Sequence, residues 1–133
     1  MKTFILIVLA FVCMASCKKS SPLSPGVFGK WEVRRVYNGN IYPPDSLFKP
    51  GNGNVLQLNA DSTYIRHEYL YGSATGVFHI RKNGYKIDQK LYDVMYFGTD
   101  TFYKTVIRLN GDRMTEDPLM PDLPTVDYQK ISQ

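Results

Sequence analysis

The chain has 133 residues, of which 44% are hydrophobic, and this length suits one compact domain but not two. It carries 16 lysines and arginines against 12 aspartates and glutamates, a formal net charge of +4. The basic residues are scattered singly apart from Lys18-Lys19 and Arg34-Arg35, without a run of five or more. This distribution argues against a nucleic-acid-binding protein.

The first 16 residues have the features of a cleaved secretory signal peptide. Lys2 provides a positive start, nine uninterrupted apolar residues run from Phe4 to Val12, and the small residues Ala15-Ser16 precede Cys17. The apolar stretch is shorter than the roughly 20 residues that a membrane-spanning helix needs. An ordinary secretory signal followed by a coincidental cysteine is the other interpretation.

The residues Ala15-Ser16-Cys17 resemble the lipobox of bacterial lipoproteins, although Met14 stands where leucine is commoner. The resemblance implies that residues 1–16 are removed and that Cys17 carries a diacylglycerol, with a further fatty chain such as palmitate on its amino group. Two or more acyl chains give lasting attachment to a lipid bilayer, whereas one chain does not.

Residues 17–26 are expected to form the lipidated N-terminus and a tether, because Ser20–Gly26 is rich in serine and proline. The residue after the cysteine is Lys18 and not aspartate. By resemblance to other lipoproteins, this favours the cell envelope's outer membrane, with the domain facing either the periplasm or the cell surface.

The remaining chain, residues 27–133, alternates apolar and polar residues and shows no helical spacing over three turns. Clusters of Gly, Asn, Asp and Ser, such as Lys82-Asn83-Gly84 and Asn110-Gly111-Asp112, predict turns between strands. The predicted strands are Gly29–Tyr37, Asn54–Asn59, Thr63–Tyr71, Thr75–Arg81, Tyr85–Gln89, Tyr92–Phe97, Thr101–Asn110, Arg113–Glu116 and Thr125–Ile131. The pattern predicts an all-β fold, an antiparallel up-and-down barrel of about eight strands, with a two-sheet sandwich as the alternative.

Four segments of this meander are similar to bacterial lipocalin-like domain lipoproteins. Gly29-Lys30-Trp31 looks like the G-x-W motif of lipocalins, and it is followed by VLQLNADSTYI (Val55–Ile65), GVFHI (Gly76–Ile80) and VIRLNGDRM (Val106–Met114). The resemblance covers most of residues 29–131. It implies a lipocalin-like barrel whose interior either holds one small ligand or is filled by side chains.

The chain departs from lipocalins proper at two places. Pro118, Pro121 and Pro124 prevent the helix that lipocalins carry before their last strand. Lys130 stands closest to the arginine that covers the tryptophan in lipocalins, and it can cover the ring of Trp31 without a flat guanidinium stack.

Inward-facing side chains of the barrel are the candidates for ligand binding, although core packing is the other interpretation of the apolar ones. Arg35, Arg66 and Glu68 share the inward register, where the arginines would meet an acidic headgroup or pair with Glu68. With the strand faces reversed, all three are surface charges. The candidate residues are Trp31, Arg35, Tyr42, Phe48, Tyr64, Arg66, Glu68, Phe78 and Tyr128.

The 15-residue connection Asn38–Asn52 is long for a compact domain and is interrupted by three prolines. Connections of this length are often lids or binding elements. Tyr42, Leu47 and Phe48 give it an apolar side, so it is expected to cover the open end of the barrel or to dock another protein.

The sequence offers little for catalysis or metal binding. His67 and His79 stand on different predicted strands in the pattern of outward residues, no G-x-S-x-G motif occurs, and Gly51-Asn52-Gly53 leads into a strand and not a helix. We therefore expect no catalytic residue, no metal and no cofactor.

These observations predict a membrane-anchored lipoprotein, not an enzyme, whose barrel binds a small, partly apolar ligand in the cell envelope. The alternative is a protein-interaction or inhibitor module with a solid barrel core. That module would present Tyr42, Phe48 and Pro118–Pro124 as an exposed patch.

Overall fold

A computed structural model describes residues 25–40, 45–68, 72–99 and 103–132. In these described ranges, the 3-10 turn Pro25–Val27 precedes nine antiparallel strands. The strands are β1 (Gly29–Tyr37), β2 (Ser46–Leu47), β3 (Val55–Leu58), β4 (Thr63–Glu68), β5 (Gly72–Ile87), β6 (Lys90–Phe97), β7 (Lys104–Asn110), β8 (Arg113–Pro118) and β9 (Thr125–Ser132). Among the described residues, no helix has the length and apolar character needed to cross a membrane.

The sheet closes on itself through β1. Strands β3 to β9 follow one another as neighbours, β1 pairs with β3 along one edge, and β9 returns to pair with β1 along the other. Eight strands therefore form a closed up-and-down barrel, and the two-residue β2 adds a short extra pairing to β1. The all-β, lipocalin-like barrel predicted from the alternation is confirmed, and the sandwich is excluded.

One end of the barrel is filled around Trp31, which is fully buried. Its indole Nε1 donates a 2.7 Å hydrogen bond to the carbonyl oxygen of Val27 in the 3-10 turn. Lys130 Nζ lies 5.1 Å from the centre of the indole ring and donates to the carbonyl oxygen of Gly26 at 3.1 Å. The expected covering of the tryptophan by Lys130 is confirmed, and it fixes the chain where it enters the barrel.

We call this end the entry end. Consecutive strands alternate in direction, so β1 begins there and β5, β7 and β9 end there. Alternation in the sequence predicts ten inward apolar side chains, and all ten belong to the core or pack against it: Trp31, Val33, Leu56, Leu58, Tyr64, Phe78, Ile80, Ile107, Leu109 and Tyr128. The buried core consists of Val27, Trp31, Val33, Val36, Leu56, Leu58, Phe78, Met95, Ile107, Met114, Val126 and Tyr128.

A β-bulge in β1 changes which side chains point inward. Val33 lies opposite Tyr128 and Arg35 lies opposite Asp127, so Arg34 is an extra residue between consecutive pairs. Beyond the bulge it is Val36, fully buried, that continues the inward register. The prediction that Arg35 points inward is therefore wrong, because simple alternation does not continue through a bulge.

The turn predicted at Lys82-Asn83-Gly84 is also a bulge, and the two strands predicted on either side of it form the single strand β5. Arg81 pairs with Val94 and Tyr85 with Tyr92, so these three residues lie opposite one residue of β6. The backbone N–H of Asn83 donates to Asp93 Oδ1 at 3.0 Å. Asn and Gly favour positive φ in bulges as well as in turns, which explains the wrong prediction.

The chain reverses instead at Asp88-Gln89, whose φ angles of 46° and 68° are both positive, as in a type I′ hairpin turn. Residues 82–92 extend beyond the pairings that β5 makes with β4 and that β6 makes with β7 in the described part of the chain. They form a two-stranded projection at the entry end, which we call the β5–β6 ribbon.

Candidate ligand-binding site

Four polar side chains meet inside the barrel, away from the Trp31 end. Arg66 and Glu68 come from β4, Glu116 from β8 and Tyr128 from β9, and all four are buried. Period-two alternation places Arg66 and Glu68 on the same face of β4, and Glu116 follows the inward Met114 by two residues. We call these four residues the inner polar cluster.

The contacts of the inner polar cluster cross the barrel from β4 to β8 and β9. Arg66 Nη2 lies 3.5 Å from Glu116 Oε2, and Arg66 Nε lies 3.7 Å from Glu68 Oε2. The hydroxyl of Tyr128 lies 3.0 Å from Glu68 Oε1 and 3.2 Å from Glu116 Oε2, and its proton serves one acceptor at a time. Both ion-pair distances are longer than the roughly 2.7–2.9 Å of a charge-assisted hydrogen bond.

Aromatic rings lie against the cluster. The guanidinium carbon of Arg66 is 4.3 Å from the centre of the Phe97 ring, a cation–π contact. Tyr64 meets Phe97 edge to face, with ring centres 4.6 Å apart. Phe78, fully buried, pairs with Phe97 across β5 and β6. The interior thus combines one cation, two carboxyls and a wall of rings.

Three oxygen atoms on buried side chains have no hydrogen-bond partner among the described residues: Glu68 Oε2, Glu116 Oε1 and Thr105 Oγ1. Glu68 Oε2 lies 3.7 Å from Arg66 Nε, within ion-pair distance, whereas no ion pair of Glu116 in the described part of the chain involves its Oε1. A buried polar atom left without a partner costs about 1–3 kcal/mol. Glu116 therefore offers an acceptor that a bound molecule or a water can satisfy.

Burial raises the pKa of Glu68 to about 7, and the Glu116 carboxyl adds to this, whereas Arg66 and the Tyr128 hydroxyl oppose it. Burial also raises the pKa of Glu116, again opposed by Arg66 and Tyr128. One guanidinium thus stands against two carboxyls, and the cluster approaches neutrality when one of them keeps its proton.

We expect the free energy of unfolding to fall as the pH rises from 5 to 8. The pKa of Glu68 is about 7 in the folded chain against a reference of 4.5, so the native state binds more protons between these values. The part of this loss that comes from Glu68 is at most about 3 kcal/mol, from 1.36 kcal/mol per pKa unit. Urea unfolding at a series of pH values measures it.

The variant Glu68→Gln is the control for this pH dependence, since it keeps the shape of the side chain but does not titrate. The part of the decrease that comes from Glu68 should vanish in it, so the variant should show a smaller decrease than the wild-type protein. A wild-type protein whose stability rises over the same pH range would show that Glu68 is ionised at low pH, against the burial described above.

The described part of the long connection after β1 adds to the wall of the barrel. Ser46-Leu47 pair with the second half of β1, and the Phe48 backbone N–H donates to the Arg34 carbonyl oxygen at 2.9 Å. The Phe48 side chain packs against the core. Tyr42 lies outside the described residues, so its role in a lid stays a prediction.

Glu32 holds this connection in place from outside the barrel. Its buried carboxylate accepts hydrogen bonds from the backbone N–H groups of Gly51 at 3.1 Å and Gly53 at 3.4 Å and pairs with Arg34. Both glycines have φ near +79°, a conformation that other residues rarely adopt. Glu32 is therefore a buried carboxylate that lies outside the barrel interior, which makes it a useful comparison for Glu116.

A depression of about 730 Å3 lies on the outer face of β1, β7, β8 and β9. Its arginines are mostly paired already: Arg35 makes a bidentate pair with Asp45 at 2.6 Å, and Arg108 pairs with Asp117 at 3.1 Å. Arg35, predicted as a ligand-binding residue inside the barrel, therefore belongs to a compensated surface network.

The described members of the patch expected of an interaction module differ in exposure. Phe48 is half-buried and Pro124 is buried against Gly39, whereas Pro121 is exposed. The backbone N–H of Leu119 donates to the carbonyl oxygen of Lys104 at 3.0 Å, which ties the proline-rich connection to β7. In the described residues 119–124, this connection contains no helix, as the prolines predicted.

Neither histidine has the surroundings of a metal ligand: His67 Nδ1 lies 2.7 Å from Ser73 Oγ, and His79 stacks on Tyr96. Among the described residues, no group of three or more metal-ligating side chains occurs. Of the predicted site residues, the structure brings Tyr64, Arg66, Glu68, Phe78 and Tyr128 together around one interior.

Sequence reasoning missed Glu116, Phe97 and Thr105. The signal for Glu116 was its spacing of two residues from Met114, and Phe97 likewise follows the inward Met95. In comparisons with family models, with curated proteins and with solved structures, no match to the chain was found. The candidate site is therefore defined by its geometry, which consists of the closed barrel, the covered Trp31 and the inner polar cluster.

Proposed function

We propose that this protein is a non-enzymatic, membrane-anchored lipoprotein whose lipocalin-like barrel binds a small amphiphilic molecule in the cell envelope. The observation that carries the proposal is the inner polar cluster. It places Arg66, Glu68, Glu116 and Tyr128 inside a closed barrel, beside aromatic rings, with Glu116 Oε1 lacking a hydrogen-bond partner among the described residues.

The chemistry of the cluster favours a ligand with a hydrogen-bond donor. Ligand sites are mostly apolar and contain a few placed polar groups that fix orientation. Glu116 Oε1 accepts, so a hydroxyl or amine satisfies it, while Phe78 and Phe97 contact the apolar part. Such a molecule removes the free-energy cost of an unsatisfied buried oxygen and excludes water from the surrounding aromatic rings.

The anchor is supported by the sequence around Cys17 and by the place where the chain enters the barrel. Cys17 lies eight residues before Pro25, and Val27 and Gly26 are fixed there by Trp31 and Lys130. Mass spectrometry of the protein from its own membranes tests the anchor. We expect an acylated peptide beginning at Cys17 and release of the Cys17→Ser variant from the membrane fraction.

Ligand binding is tested with N-phenyl-1-naphthylamine, a fluorescent apolar amine, and the chain from residue 19, which contains all nine strands. We expect saturable binding of one probe per chain. The variant Glu116→Gln should weaken binding at least about tenfold, roughly the value of one hydrogen bond to a charged group.

The matched control for the titration is Glu32→Gln, because Glu32 is also a buried carboxylate but lies outside the barrel. It should leave the affinity for the probe unchanged. An absence of saturable binding, or equal weakening by both variants, would contradict the proposed site.

A further inference from the structure

The β5–β6 ribbon is a basic and partly apolar projection of an otherwise closed barrel. Its residues 82–92 include Lys82, Lys86 and Lys90 against a single carboxylate, Asp88. Tyr85 and Leu91 add apolar surface to the ribbon, with exposed fractions of 42% and 52%. Neither the closed sheet nor the inner polar cluster uses any of these side chains.

The ribbon carries both basic and apolar side chains along its length. Tyr85 lies opposite Tyr92, and Lys86 lies opposite Leu91, so charged and apolar groups are cross-strand neighbours. Lys90 Nζ lies 5.3 Å from the centre of the Tyr92 ring. Tyrosine, leucine and lysine together suit the boundary between lipid headgroups and acyl chains, where rings and lysine stems are buried and ammonium groups reach water.

The ribbon projects from the entry end, where the chain continues towards Cys17. Three residue pairs lie beyond its bulge, which corresponds to about 10 Å at the usual rise per residue. Pro25 lies eight residues after Cys17, a separation of at most about 28 Å in a fully extended chain. An acyl anchor at Cys17 therefore holds the entry end, and with it the ribbon, close to the bilayer.

Charge at this end favours an anionic surface. The neighbouring turns contribute Asp61 and Asp112, and Asp93 lies at the base of the ribbon. The basic side chains of residues 81–92 are Arg81, Lys82, Lys86 and Lys90, and Lys30 and Arg113 lie at the same end of β1 and β8. The basic side chains thus outnumber Asp61, Asp88, Asp93 and Asp112 by six to four.

We propose that the β5–β6 ribbon is a second membrane contact, which docks on the anionic headgroups of the leaflet that holds the acyl chains of Cys17. This inference rests on the anchor of the proposed function, and it is independent of ligand binding. Docking at two points sets the orientation of the barrel, with the entry end towards the lipid and the opposite end away from it.

Hydrogen exchange of the native acylated protein tests the ribbon. The protein is placed in lipid nanodiscs of phosphatidylcholine, with or without phosphatidylglycerol. A lysine near an anionic surface contributes about fivefold to binding. We expect the amides of residues 82–92 to exchange at least about fivefold more slowly on the anionic discs. Equal exchange on both lipids would overturn the proposal.

Charge-reversal variants test whether the lysines of the ribbon cause this difference in exchange. The triple variant Lys82→Glu, Lys86→Glu and Lys90→Glu should remove the difference between the two lipids, and Lys86→Glu alone should reduce it. Lys104→Glu is the matched control, because Lys104 is exposed and begins β7 at the opposite end of the barrel. If this control reduced the difference as much as Lys86→Glu, general charge and not the ribbon would be responsible, and the proposal would fail.

A second arm separates the ribbon from the anchor. The chain from residue 19, which contains all nine strands, is attached through an N-terminal hexahistidine tag to discs that contain nickel-chelating lipid. Slower exchange of the ribbon on anionic discs in this arm supports docking even where mass spectrometry finds no acylated Cys17. Equal exchange in this arm counts against the ribbon and leaves the acyl anchor intact.

Discussion

Replacing Arg66 with alanine is expected to lower the free energy of unfolding by about 3–5 kcal/mol at pH 8, the usual cost of removing one partner from a buried ion pair. Glu68 and Glu116 would then face each other in the interior without a cation. Urea unfolding of wild-type and variant protein at constant pH gives the difference directly.

The loss from Arg66→Ala should shrink at pH 5, by about 1 kcal/mol or more, because burial already raises the pKa of both carboxyls. Protonated carboxyls need no cation. The control is Arg35→Ala, which removes an arginine whose side chain is 44% exposed and whose partner Asp45 can return to water. Its effect should be far smaller and should not depend on the inner cluster. An Arg66→Ala effect as small as that of Arg35→Ala would place the cluster in contact with solvent.

Replacing Trp31 with alanine is expected to lower the free energy of unfolding by about 3–5 kcal/mol, as for other fully buried aromatic residues. The change leaves a large void at the entry end and removes the hydrogen bond to Val27. Lys130 also loses the ring that it covers. The midpoint of urea unfolding should fall without a change in slope.

The control for Trp31→Ala is Leu47→Ala, because Leu47 is 80% exposed. Surface changes of this kind usually stay within about 0.5 kcal/mol. A tolerated Trp31→Ala would mean that the entry end is held by the strands alone, and that the 3-10 turn is not fixed by the tryptophan.

Much of the fold follows from alternation, because a strand with one buried face must repeat every two residues. The inward positions of Leu56, Leu58 and Phe78 were predicted in this way. Bulges interrupt the rule. The extra residue at Arg34 moves Arg35 outward, and the same Asn-Gly chemistry that closes turns also builds the bulge at Asn83.

The candidate site was predictable in part for the same reason. Arg66, Glu68 and Tyr128 are inward by register, but their meeting with Glu116 depends on which strands face each other across a closed barrel. Spacing along one strand carries no information on contacts between residues 50 or 60 positions apart. The contribution of Glu116 was therefore not predicted, although its spacing of two residues from Met114 places it on the inward face of the strand.

In the proposed function, the inner polar cluster binds the ligand and the β5–β6 ribbon contacts the membrane. At the entry end, the covered Trp31 closes the interior and the ribbon faces the proposed bilayer. The cluster lies away from that end. A ligand that enters from the opposite end would reach Glu116 without passing the anchor, so binding and membrane attachment can be changed separately by mutation.

The central claim is that the interior of the barrel holds the ligand, and methionine-methyl NMR tests it most directly. Met95 and Met114 are buried in the core, whereas Met120 lies in the connection between β8 and β9. On saturation with N-phenyl-1-naphthylamine, we expect the methyl signals of Met95 and Met114 to shift while that of Met120 stays in place. Unmoved core signals, with a shift confined to Met120, would place the probe on the surface and contradict the account.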